Sequence, residues 1–186
     1  LIFGLLSFVS YLVEGAVGDW SALYLFEDKG IVIEEAVMGV MLFNGTMCIG
    51  RLLGNRLGKH LTSKQVVVGG YLLGSIAMGL IVFLPGHASM YTYLLLGISL
   101  AMIVPNLFSA MGEQNVIPMT QAVATSTMLG YMGILMGPAL IGFIAHGTSL
   151  TVAFIVLTTL LVVSAGIGKY AYHLMSKDCG LSEEQI

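Results

Sequence analysis

Two acids interrupt an apolar run near the start of the chain. In YLVEGAVGDWSALYLFEDKG, residues 11–30, Glu14 and Asp19 stand among glycines and aliphatic residues, and Trp20 follows the second. A carboxylate in such surroundings holds a proton, meets a cation, or faces water and a cationic solute, and all three are functional roles. The structural alternative is a protonated acid hydrogen-bonded between helices. Further along, Pro105, Asn106 and Ser109 place a missing backbone donor and two polar side chains in a second apolar run. That arrangement suits a cavity lining, with Asn106 as a site residue, or a kink held by neighbouring helices. Thr127 and Tyr131 are four apart and share a helix face. Tyr131, beside Gly130 and Gly133, reaches a cavity or packs against a local partner. The histidines at 60, 87, 146 and 173 lack metal-ligand spacing, so no metal is expected. No nucleophile elbow, phosphate loop or dinucleotide fingerprint occurs, so neither a cofactor nor an enzyme is expected.

The surroundings of these residues are too apolar for a soluble domain. Of 186 residues, 57% are hydrophobic and 9% charged, against about 25% charged in soluble proteins. Lipid must therefore cover much of the chain. The net charge of −3 argues against a nucleic-acid partner. Cys48 and Cys179 read as unpaired. The chain starts at Leu1, already inside an apolar run, which reads as a fragment whose N-terminal part is missing.

A spanning helix needs about 20 mostly apolar residues, and segments at about 2–26, 35–57, 65–84, 91–111, 121–145 and 150–173 qualify. The expected architecture is all-α: one six-helix transmembrane domain over about residues 1–175, then a cytoplasmic tail at about 176–186. Arg51, Arg56, Lys59, Lys64, Lys169 and Lys177 fall on one side of this topology, and of the seven basic residues only Lys29 does not. The basic side is expected to be cytoplasmic, with both chain ends on it. Glu14 then lies roughly 20 Å along the first span, within the hydrocarbon, and Asp19 lies nearer the outer rim, beside Trp20 and Tyr24 as interfacial anchors. No lysine or arginine of this chain is expected at the depth of Glu14. The two acids are about 140° apart around a helix and share a face only if Gly15 or Gly18 unwinds the turn between them.

The spans also repeat. The first and fourth carry the interruptions, Glu14 to Asp19 and Pro105 to Ser109. The second and fifth are ribbed with glycine at four-residue spacing, Gly50, Gly54 and Gly58 against Gly133 and Gly137. Small residues at that spacing let helix backbones approach closely. Two sets of three spans running in opposite directions form an inverted-topology repeat, whose interrupted helices line a binding site.

The stretches EGAVGDWSALYL, GRLLGNRLGKHL, IVPNLFSAMG and GYMGILMGPALIG together resemble the C-terminal half of a major facilitator superfamily transporter. The likeness is to the bacterial subgroup related to rhizopine transport proteins. It covers essentially the whole chain, as helices seven to twelve of twelve. The resemblance implies a secondary transporter of the bacterial inner membrane, coupled to protons or ions, in which two six-helix halves rock around a central site. Its partners are the lipid bilayer, a small solute and the N-terminal half. The family's connection between helices two and three of each half carries Gly-x-x-x-Asp-Arg-x-Gly and then basic residues, and its Asp helps latch the cytoplasmic side. Here Asn55, Arg56, Gly58 and Lys59 follow the latter part, but Asn55 replaces the acid and Arg51 the first glycine. An amide offers no charge to a helix N-terminus or an arginine, so the latch is expected to be weaker. Arg56 and Lys59 serve the latch, or only set topology. The alternative to a transporter is a six-helix scaffold or regulatory subunit of another membrane complex.

Overall fold

The computed structural model describes residues 1–57, 61–113 and 118–179, without the side chains of residues 55–57, 113, 178 and 179. Every regular element among them is a helix: α1 Ile2–Glu27, α2 Ile33–Leu57, α3 Ser63–Phe83, α4 Gly86–Ala101, α5 Ile103–Glu113, α6 Met119–Gly147 and α7 Leu150–Cys179. Among the described residues, six helical segments are long and apolar enough to cross a membrane, α4 and α5 together making the fourth, Gly86–Gly112.

The fourth span breaks at Met102, where φ is −102° and ψ −3°. Pro105 has no N–H for the carbonyl of Ala101, four residues back, so the helical ladder cannot run through. Asn106 braces the break. Its backbone N–H donates to the Met102 carbonyl at 3.2 Å, and its side-chain amide donates to the same oxygen at 2.8 Å. The first span differs from expectation: α1 is continuous from Ile2 to Glu27, through Gly15 and Gly18. Glycine weakens a helix interior by only about 1 kcal/mol, and no proline removes a donor here, so the ladder closes.

The packing order shows the inverted repeat. The most extensive pairings are α1 on α6, α2 on α4 and α3 on α7. Exchanging the first three spans for the last three turns the first pairing into the second and leaves the third unchanged. The glycine ribs explain why these pairs are close. A Cβ on Gly133 would run into the Phe8 carbonyl, and one on Gly137 into the Leu12 carbonyl, both on α1. In the other half, a Cβ on Gly50 would stand 2.6 Å from the Ala101 Cβ, and one on Gly97 would meet the Phe43 carbonyl. Both interfaces are thus backbone on backbone, the contact that small residues permit where lipid leaves no hydrophobic drive between helices.

Buried hydroxyls tie the layers. Tyr71 on α3 donates to the Leu6 carbonyl at 2.7 Å and shares a 2.8 Å bond with Ser10. Ser126 on α6 donates to Ser7 at 2.9 Å. Such interhelical bonds contribute about 0.6 kcal/mol each on average in membranes. Tyr24 is fully buried and stacks on Phe154 at 4.2 Å, so it is a core residue and not an interfacial anchor.

The end of the bundle bearing Glu27, Asp28, Glu34 and Glu35 is held by polar clasps. Thr151 donates to Asp28 at 2.6 Å, and His87 meets Glu35 at 2.7 Å. Lys29, the one lysine or arginine at this end, donates to the carbonyls of Val82 at 2.6 Å and Leu84 at 3.0 Å. It thereby caps the C-terminus of α3, where orphan carbonyls and the helix dipole favour a cation. Burial pushes its ammonium pKa below the ordinary value, and the Asp28 carboxylate opposes the shift. Its departure from the charge rule therefore has a local cause.

Candidate functional site

Glu14 is not alone at its depth. The Arg51 guanidinium places Nη2 3.2 Å from one Glu14 oxygen and 3.3 Å from the other. This corrects the expectation that no cation of the chain reaches it. The reason is the direction of side chains on antiparallel helices. At 1.5 Å per residue the two Cα atoms are offset by about 9 Å if the basic ends of α1 and α2 are level. Side chains lean toward the N-terminus of their own helix. Glu14 on α1 therefore leans toward the basic end, Arg51 on α2 leans away from it, and the two close the gap between them. The Glu14 side chain is 12% exposed and that of Arg51 45%, so the pair forms one wall of an open face.

Two tyrosines extend this wall. Tyr11 precedes Glu14 by one turn and stacks on Tyr131 of α6, with centroids 6.5 Å apart and planes 8° from parallel. Gly130 makes the room: a Cβ there would stand 2.5 Å from the Tyr11 ring. Tyr131 itself is 66% exposed. The fold thus brings together Glu14, Arg51, Tyr11 and Tyr131 from α1, α2 and α6. An ion pair offers complementary charges to a polar or zwitterionic solute, and the tyrosines offer flat apolar faces with hydroxyl tips.

The other candidates lie elsewhere. Asp19 is exposed, and because α1 is unbroken it does not share the face of Glu14. Its neighbour Trp20 donates to the Pro138 carbonyl at 2.9 Å, fastening α1 to α6. Asn106 commits its amide to its own helix at the Met102 break. Asn55 and Arg56 lie on α2, but their side chains fall outside the described residues, as do Gly58 and Lys59 altogether.

Sequence reasoning missed Tyr11 and the upper part of the α2 stripe. Asn44, Cys48 and Arg51 are all exposed and stand at i, i+4 and i+7, one face of a helix. That spacing was legible and leads directly to Arg51. The Tyr11–Tyr131 stack had no comparable signal, because it joins helices distant in sequence.

No family model matches the chain. It is 41% identical over 168 residues to an uncharacterized MFS-type transporter of Yersinia pestis, covering 89% of this chain and 43% of the relative. It is 30% identical over 170 residues to the membrane protein MosC of Rhizobium meliloti, covering 90% and 42%. An uncharacterized transporter of Sinorhizobium fredii is 28% identical over 157 residues, covering 82% and 41%. The chain spans about two fifths of the length of the curated relatives it matches. Six spans in an inverted repeat, glycine-ribbed pairings and these relatives agree with the sequence motifs: the chain is a six-helix bundle similar, over about nine tenths of its length, to two fifths of an MFS-type transporter.

Proposed function

We propose that this chain is the C-terminal half of a secondary transporter that moves a small polar solute by alternating access, with proton coupling through Glu14. The observation that carries the reading is the Glu14–Arg51 pair, formed midway along the first span. Taking two charges into the hydrocarbon zone costs several kcal/mol unless they pair with each other or meet water. A purely structural pair would be sealed in the bundle, whereas Arg51 is 45% exposed, on the face that also presents Tyr131. A second six-helix half across that face would enclose the pair in a central cavity. The basic end faces the cytoplasm, and the membrane is the bacterial inner membrane.

In this mechanism Glu14 alternates between two partners. Paired with Arg51 it is ionised, and Arg51 cannot give up its own proton. When solute or a shift of α1 against α2 draws Arg51 away, Glu14 is left without a counter-charge in an apolar setting and takes a proton. Each half-cycle thereby links solute occupancy to proton occupancy. Uptake by the full-length protein carrying Glu14→Gln tests this. Uptake is expected to lose its dependence on external pH and its ability to concentrate solute, while exchange of solute down its gradient persists. Concentrative uptake with an unchanged pH profile sinks the proton-coupling role.

A further inference from the structure

Away from the Glu14–Arg51 face, α3 and α7 leave a cavity of about 400 Å³ at the basic end, lined by Lys64, Gly166, Lys169, Tyr170 and His173. Lys64 stands in the first turn of α3. The α7 residues recur at i, i+3, i+4 and i+7, one helix face, and all four are exposed. Lys169 lies about 29 Å along α7 from Leu150, so it reaches the far boundary of a hydrocarbon layer about 30 Å thick. Two lysines, an imidazole and a phenol therefore converge at headgroup depth.

The surface above the cavity is apolar. Val162, Val163 and Ile167 on α7 are 51%, 50% and 40% exposed and lead from the cavity toward the membrane centre. A Cβ added at Gly166 would meet nothing within 4 Å, so the groove is open where head and chain would join. Cationic at the boundary and apolar above it, the site matches an amphiphile with an anionic head. We propose that it binds an anionic phospholipid, with the phosphate between Lys64 and Lys169 and an acyl chain along Val163 and Ile167. Free phosphate shares the head chemistry but gains nothing from the apolar strip. The site is separate from the solute face and stands whether or not Glu14 couples protons.

The test is native mass spectrometry of the full-length protein in mixed micelles of phosphatidylglycerol and phosphatidylcholine. Phosphatidylglycerol should be retained preferentially. Retention should fall about fivefold for Lys64→Gln or Lys169→Gln and about 25-fold for the double variant, as expected for lysines near a charged headgroup. Lys177→Gln, outside the cavity, should leave it unchanged. Equal retention of the two lipids by the wild type overturns the proposal. So does a double variant that unfolds like the wild type yet keeps phosphatidylglycerol as well. Displacement of the lipid by millimolar inorganic phosphate or glycerol phosphate would assign the site to a free anion and overturn the lipid reading. If the double variant does not fold, a wild-type salt titration decides: added salt must weaken phosphatidylglycerol retention while leaving phosphatidylcholine unaffected.

Discussion

Breaking the Glu14–Arg51 pair gives the most quantitative test of the site. At 3.2 Å and an effective dielectric of about 20, two unit charges attract by about 5 kcal/mol. Desolvation takes back most of this. Exposed pairs are worth about 0.2–1 kcal/mol, while removing one partner of a fully buried pair costs about 3–5 kcal/mol. With Glu14 12% exposed and Arg51 45%, the pair belongs between these limits, and a coupling energy of about 1–2 kcal/mol is expected. The measurement is equilibrium unfolding of the full-length protein in detergent for the wild type, Glu14→Gln, Arg51→Gln and the double variant. Each single change strands a partner, so the double variant should cost less than the sum of the singles by the coupling energy. Independent sites add within about 0.3–0.5 kcal/mol. Additivity within that margin would refute the pair as an energetic unit and remove the basis for its proposed part in a transport cycle.

Gly133→Leu sets a side chain against the Phe8 carbonyl. Overpacking of this kind costs about 1–3 kcal/mol, so the yield of monodisperse full-length protein on size exclusion should fall sharply, while Gly45→Leu, where a Cβ meets nothing within 4 Å, should not lower it. Lys29→Met leaves the Val82 and Leu84 carbonyls without their charged donor. Unfolding should become easier by about 1–2 kcal/mol, and amide exchange in the last turn of α3 should accelerate. Tyr131→Ala removes a side chain that is 66% exposed but stacks on Tyr11, so stability should fall by about 0.5–1.5 kcal/mol, the worth of an aromatic pair. Solute affinity, read from the half-saturating concentration for uptake, should weaken severalfold, and an unchanged value removes Tyr131 from the site.

The count of spans, their apolar character and the sidedness of charge were legible in the sequence because they are local. A run of about 20 apolar residues declares a span whatever it packs against. Pro105 declares a break because its missing N–H acts within one turn. The ribs at Gly50, Gly54, Gly133 and Gly137 announced close helix contacts, again as a period along one helix. Which helices those contacts joined was decided only by the tertiary structure, since a rib does not name its partner. The same limit explains Glu14. Its place midway along the first span was readable, but counting along each helix placed Arg51 too far away. Only the assembled bundle shows two antiparallel helices whose side chains lean toward each other, so that the Arg51 guanidinium and the Glu14 carboxylate meet at 3.2 Å. Lys29 teaches the converse. Its charge was visible and its place puzzling, and the packing of α1 against the end of α3 supplied the carbonyls that keep it there.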